Sequence, residues 1–280
     1  MNTSIKIYIA RILYYILIFL RVKKNILVSR KSINWYLDIS ESIDLSIFLF
    51  GSFQRSVVKS IVKFILKKKY KFKSSFTILD VGSNIGDKSL SLAKNLLDRN
   101  FTNFNIFSFE PTDYAFKKQL RNINLNPKLK KKISSFKKYV SDEKIKPRKI
   151  YSSWKLDSNA ESHKIHKGFL KKVDKSTKAI SLDSFIKKNK IRNTIILKID
   201  VDGFEMNVLK SCKKTLKKNS PIIFMEYAPY TMIEQGFSVK QFKKFISKYN
   251  YSIFDLNFKK LNNIKIFNGA STDIVLIKDK

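Results

Sequence analysis

From about residue 76 onward, short apolar runs alternate with longer stretches in which apolar residues recur every three or four positions. The runs "FTILDVG" (76–82), "NFNIFSFE" (103–110), "TIILKIDVD" (194–202) and "PIIFMEYA" (221–228) are rich in Ile, Val and Phe and too short for helices, which predicts buried strands. Between them "IGDKSLSLAKNLL", "TDYAFKKQLRNINLN" and a segment from Phe204 to about Lys217 carry helical spacing, the second entered through Thr112 or Asp113 as N-cap. A strand is expected near 133–140 ("ISSFKKYV"), regular structure in "KAISLDSFIKKN", a helix at 238–249, and strands at "YSIFDL" (251–256) and "TDIVLIK" (272–278). Strands alternating with helices of ten or more residues predict an α/β fold, its sheet mainly parallel and covered on both faces. The last two strands have no helix between them and are expected to pair antiparallel at the sheet edge. Residues 141–178 lack a strong period and read as a hairpin or a long functional loop.

Upstream the pattern changes. Ile43, Ile47 and Phe50, and then Val57, Ile61, Phe64 and Ile65, fall at helical spacing on either side of Gly51, and the lysine-rich "KKKYKFKSS" follows. A boundary near residue 72 therefore separates a helical extension (1–72) from the main domain (73–280). The N-terminal "MNTSIKIYIARILYYILIFLRVKK" is apolar with basic flanks, but its uninterrupted apolar run extends only from Ile12 to Leu20. A span needs about 20 apolar residues, and no small-residue cleavage site follows. Two readings remain open: a helix packed on the domain, or one lying on an anionic membrane through residues 1–30.

Charge alters this picture less than its size implies. The chain of 280 residues has 57 Lys and Arg against 22 Asp and Glu, a formal net charge of +35, which points first to a polyanionic partner. Only eight of the basic residues are Arg, the side chain suited to bidentate phosphate and guanine contacts, and the lysines spread through almost every segment. A nucleic-acid partner is therefore not the favoured reading. Cys212 is the sole cysteine, which leaves no intrachain disulfide and no thiolate zinc site, and a cytoplasmic, reducing location is expected, with peripheral membrane contact left open. "VLKSCKKTL" places that thiol on a helix as a buried, inert group.

The candidate chemistry gathers at strand ends. In an open α/β sheet ligands bind beyond the carboxyl ends of the strands, and Gly82 and Gly86 sit on the first such turn. The turn is neither G-x-G-x-x-G nor a P-loop, since "GDKS" puts Asp87 where that signature has Lys. Glu110 ends the second strand, 28 residues after Gly82, where an acidic side chain takes two ribose hydroxyls. A glycine-lined turn with a ribose acceptor and no pyrophosphate cradle points to S-adenosylmethionine (SAM), a nicotinamide cofactor or none remaining as alternatives.

The stretches "ILDVGSNIGDKSL" (78–90), "FSFEP" (107–111), "YVSDE" (139–143), "SLDSFI" (181–186), "LKIDVDGFEMNVLK" (197–210) and "FMEY" (224–227) resemble the FkbM family of SAM-dependent methyltransferases. Together with "WYLDISESIDLSIFLFGSFQ" (35–54), the resemblance covers about residues 34–278. It implies a class I methyltransferase sheet, Rossmann-like, of about seven strands, mainly parallel with an antiparallel last strand. It also implies that Asp80, Gly82, Asn84 and Gly86 surround the methionine part of SAM, that Glu110 holds the ribose, and that Asp142 lies near the adenine. Asp200, Asp202 and Glu205 would line the pocket beyond the fourth strand. Gln54 stands where the family commonly has Glu after "GSF", and Ser83 where Ala is usual.

The expected activity is transfer of a methyl group from SAM to a hydroxyl of a sugar, glycan or small molecule. A hydroxyl acceptor needs a base, for which Asp200, Asp202, Glu226, His163 and His166 are the candidates. Glu205, one turn into its helix, serves equally as a partner of the helix dipole. The two histidines lack a third ligand nearby, so no metal is expected, and Trp154 stands as a sugar-stacking or packing residue. A non-catalytic basic protein of the same fold, bound to nucleic acid or an anionic membrane, is the alternative.

Overall fold

The computed structural model describes residues 3–68, 72, 74–142, 149–152, 155–157, 169–172, 177–262 and 271–279. The chain opens with helix α1 (Thr3–Phe19), an antiparallel hairpin of β1 (Asn25–Arg30) and β2 (Ile33–Asp38), and helices α2 (Ser42–Phe50) and α3 (Arg55–Lys67). The helices on either side of Gly51 are as expected, Gly51 closing α2 in the left-handed region. The hairpin is a correction to an all-helical extension. Lys31 and Ser32 form its turn at positive φ without a glycine, so the usual turn signal is missing from the sequence.

The main domain continues with β3 (Phe76–Val81), α4 (Asp87–Leu97), β4 (Phe104–Phe109), α5 (Asp113–Asn124), the short α6 (Pro127–Lys130) and β5 (Ile133–Phe136). Next come β6 (Tyr139–Val140), β7 (Lys149–Ser152), β8 (Phe169–Lys172), β9 (Ala179–Ile180) and α7 (Leu182–Lys188). The remainder is β10 (Thr194–Ile199), α8 (Glu205–Ser211), α9 (Lys213–Lys218), β11 (Ile222–Tyr227), α10 (Pro229–Glu234), α11 (Val239–Lys248), β12 (Tyr251–Phe254) and β13 (Thr272–Lys278).

Seven strands make one sheet in the order β12-β13-β11-β10-β3-β4-β5. The five from β11 to β5 are parallel, and β13 runs antiparallel to both β11 and β12. The fold is thus the mainly parallel, seven-stranded sheet expected. Within the edge pair it is β12 that takes the outer place, while β13 lies against β11. The strands alternate cleanly between two cores. Phe76, Ile78, Ile196, Phe224 and Val275 join one, with α3 and α4, whereas Leu79, Leu197, Met225 and Ile274 join the other, with α7, α8 and α11. That period of two is hidden in the sequence because both faces are buried.

Three finer expectations are revised. The run 133–140 is two strands, since β6 leaves the main sheet to pair in parallel with β9. The helix after Phe204 breaks at Cys212 into α8 and α9, and Cys212 itself is fully buried. Two short helices, α6 opened by Pro127 and α10 opened by Pro229, add to the expected elements. The stretch 141–178 does contain a hairpin, β7 with β8.

The N-terminal extension is fastened across residue 72. Trp35, Leu37, Ile47 and Ile61 share one apolar cluster with Phe76, Ile78 and Leu90. Asn122 on α5 accepts the Tyr36 N–H at 2.8 Å, and Asn126 accepts the Asn34 N–H at 2.9 Å and donates to the Asn34 carbonyl at 2.7 Å. These two amides pair with the open edge of β2 as a neighbouring strand would. Asp44 on α2 and Lys118 on α5 form a buried ion pair below them.

Candidate active site

The turn after β3 is stitched to the strands on either side. Gly82 and Ser83 donate to the Phe109 carbonyl at 3.0 and 3.1 Å, and Asp200 donates to the Val81 carbonyl at 3.0 Å. Gly82 has φ +79, and a Cβ there would lie 1.8 Å from the Asp200 carbonyl oxygen. Glycine is required at this position by the close passage of the chain leaving β10, which is a reason internal to the fold. Asn84 follows at φ 48, and Gly86, at φ +89, opens α4. Ser83 is not idle, because its hydroxyl oxygen accepts from the Gln119 side-chain amide at 3.0 Å, the same amide nitrogen reaching Ser108 at 2.7 Å.

Under this turn sits a charged residue that sequence reasoning passed over. Lys198, buried in the central strand β10, places its Nζ 3.1 Å from Asp80, 3.5 Å from Asp200 and 3.0 Å from the Gly82 carbonyl. Burial alone would depress its ammonium, but Asp80 and Asp200 more than reverse that, so it stays cationic. A lysine inside the apolar run "TIILKI" was the available signal. Asp80 also accepts from the Ser89 hydroxyl at 2.6 Å and is completely buried, beneath the cleft rather than on its wall.

A cleft opens above the carboxyl ends of β3, β4, β10 and β11. Of the predicted cofactor residues, Gly82, Asn84 and Glu110 line it, while Asp80, Gly86 and the exposed Asp142 do not. Glu110 is held as an acceptor: one oxygen takes the Asn84 N–H at 3.0 Å, the other the Thr112 N–H at 2.9 Å and hydroxyl at 2.5 Å. Thr112 is the N-cap residue of α5, yet its side chain serves Glu110 rather than the helix. Burial raises the Glu110 carboxyl, opposed by the Thr112 and Asn84 donors and by Lys198. With about four lone-pair sites on the carboxylate, three bonds leave acceptor capacity facing the cleft. Phe109, Tyr139, Val140 and Ile150 form an apolar wall beside it.

Asp200, Asp202 and Glu226 line the opposite side, with Tyr230. Burial drives the Glu226 carboxyl well above the ordinary carboxylate range, Asp200 and Asp202 push it further, and a hydrogen bond with Ser271 opposes them. Asp273, paired with Glu226 across β11 and β13, is raised to about 6 by burial and by Asp200. Glu205 is not on the wall. Its buried Oε1 accepts from Gly203 at 3.1 Å and Val201 at 3.3 Å, bracing the loop in which Asp202 has φ 48. Burial raises its carboxyl to about 7.

The N-terminal extension closes one side through Ser42, Ile43, Phe53 and the exposed Gln54, which holds a left-handed φ of 44 before α3. Lys88 joins it to the turn, donating to the Phe53 carbonyl at 2.7 Å and to Asp87 at 2.8 Å. His163, His166 and Trp154 lie outside the described residues. Among the described residues no group of three or more His, Cys, Asp or Glu is placed to hold a metal ion.

Comparison with solved structures places this chain beside several methyltransferases. The methyltransferase FkbM from Methylobacillus flagellatus KT is 14% identical, with 84% of this chain and 59% of that chain covered at a TM-score of 0.42. A putative rRNA-methylase from Clostridium thermocellum is 11% identical over 79% of this chain and 96% of its own, at 0.43. Magnesium protoporphyrin IX methyltransferase from Synechocystis PCC 6803, solved with bound SAM, is 8% identical over 80% and 79%, at 0.41. No curated protein matches the sequence. Residues 80–253, more than half of the chain and the span from the glycine turn through the acidic strand ends, match the methyltransferase FkbM domain, and the chain therefore belongs to the FkbM family of methyltransferases.

Proposed function

We propose that this chain methylates a hydroxyl group of a sugar, glycan or other hydroxylated small molecule, with SAM as methyl donor. The observation that carries the reading is the placement of Glu110, fixed as an acceptor at the end of β4, across one cleft from Asp200, Asp202 and Glu226 at the ends of β10 and β11. The residues present fit the cofactor. Glu110 offers acceptor oxygens to a ribose diol, and Phe109, Tyr139 and Val140 offer an apolar surface to a purine. The carboxylates opposite favour a cationic group between them. When bound, SAM supplies an electrophilic methyl group on its sulfonium.

The chain's own work is to orient and to accept a proton. Lys198 holds Asp80, Asp200 and the Gly82 carbonyl together, so the β3 turn and the end of β10 keep one spacing. Holding two reactants in one geometry contributes up to about 7–11 kcal/mol in all, and this fixed spacing is one part of that. Glu226 is the base. Its raised carboxyl brings proton affinity nearer to that needed at neutral pH, whereas Asp200 is engaged by Lys198. Calorimetry with SAM on the wild type and on Glu110→Gln tests the cofactor reading. Saturable binding weakened roughly tenfold by the change, a loss of about 1.4 kcal/mol, is expected. Folded wild-type protein that takes up no SAM at millimolar concentration refutes it. Transfer of labelled methyl to hydroxylated acceptors then tests the substrate class.

A further inference from the structure

Helix α1 is apolar on two sides. Inward, Ala10, Leu13, Tyr14 and Leu17 pack with Leu45 and Phe48 of α2. Outward, Tyr8, Ile12, Tyr15, Ile16 and Phe19 form a second stripe at helical spacing, and each is 43–85% exposed. A helix apolar all round is one that is covered on every side, and an apolar stripe of this extent marks an interaction surface. The chemistry of the surroundings selects the occupant. Residues 1–37 contain seven Lys and Arg and no Asp or Glu, and Arg21 and Lys23 are exposed at the C-terminal end of the helix. A second copy of this chain would bring a like net charge of +35 and the same basic flank beside its own α1, which opposes pairing. An anionic bilayer takes up the apolar stripe and the basic flank together. No single described helix is long and apolar enough to cross a membrane, so α1 would lie along the surface.

We propose that the outer face of α1 lies in the headgroup region of an anionic bilayer and holds this chain there. The arrangement bears on the cleft because α2 packs on α1 while its Ser42 and Ile43 line the cleft. A membrane-bound α1 therefore keeps the cleft close to acceptors carried on the bilayer surface. The inference does not depend on the identity of the donor or of the base.

Flotation of the full chain with vesicles of phosphatidylcholine mixed with phosphatidylglycerol, and with phosphatidylcholine alone, tests it. The wild type is expected to float with the mixed vesicles, and the triple variant Tyr8→Ser, Ile12→Ser, Phe19→Ser to partition about tenfold less. A thermal melt confirms that the variant folds, and a blue shift of Phe19→Trp fluorescence on the mixed vesicles reports insertion independently. The proposal is overturned if the triple variant floats as well as the wild type, if neutral vesicles bind equally, or if the chain instead forms a stable dimer that the triple variant dissolves.

Discussion

Replacing Lys198 by Met removes a cation from the buried junction of β3 and β10 while leaving the aliphatic bulk of the side chain in place. Asp80, with none of its surface exposed, then keeps only the Ser89 hydroxyl, and Asp200 and the Gly82 carbonyl each lose a donor. Breaking a buried pair by deleting one partner costs about 3–5 kcal/mol, because the remaining charge is neither hydrated nor balanced. At roughly 2–4 °C per kcal/mol for a chain near this size, the melting temperature falls by about 6–20 °C. Calorimetric or circular-dichroism melts at neutral pH measure this. The double variant with Asp80→Asn separates the charge from the packing, since the amide oxygen still accepts from Ser89 and no buried charge is left unbalanced. It is expected to recover at least about 2 kcal/mol relative to the sum of the single changes. A single variant within about 1 kcal/mol of the wild type, or strict additivity in the cycle, refutes the reasoning.

Gly82→Ala is expected to cost more than about 4 kcal/mol, whereas Gly236→Ala, at a similar φ but with nothing within 4 Å, costs only the left-handed penalty of about 1–2 kcal/mol; equal melting temperatures for the two would show that the Asp200 carbonyl yields. Glu226→Gln should lower turnover by about 10²–10⁴-fold, well beyond any loss of SAM affinity. A base must be ionised, so the wild-type rate climbs as pH rises through the raised Glu226 carboxyl, and a variant with full activity or the same pH profile excludes this role. Glu205, raised to about 7, stabilises the fold fully below the ordinary carboxylate range and loses that contribution as pH rises toward neutrality. Glu205→Gln does not titrate, so its melting temperature should vary less with pH across that window; parallel curves would contradict the assignment.

Local pattern carried the main fold. The apolar runs ending at Val81, Phe109, Ile199 and Tyr227 are strands because their β-branched and aromatic residues suit a sheet buried on both faces, and Glu110 and Glu226 stand out because a carboxylate directly after or within such a run needs a reason. The hairpin of residues 25–38 escaped because its turn uses Lys31 and Ser32, and its edge is satisfied by Asn122 and Asn126, some 90 residues away in the chain. Lys198 has no local sign of its role, since Asp80, the buried carboxylate it balances, comes from the neighbouring strand β3, far away in the chain.

By itself the sequence determined the succession of the main-sheet strands and of the principal helices between them, because hydrophobic period and turn chemistry act over a few residues, and its motifs carried the family and the acidic and glycine positions at the strand ends. Only the tertiary structure decided what those positions do. Asp80 lies under the cleft on Lys198, Gly82 is glycine because a neighbouring backbone passes against it, and Glu205 braces a loop instead of lining the cleft. For Asp80 and Gly82 the deciding partner is brought close by the sheet order, and for Glu205 by the folding of its own loop onto the buried carboxylate; desolvation and hydrogen bonding act on what is close in space.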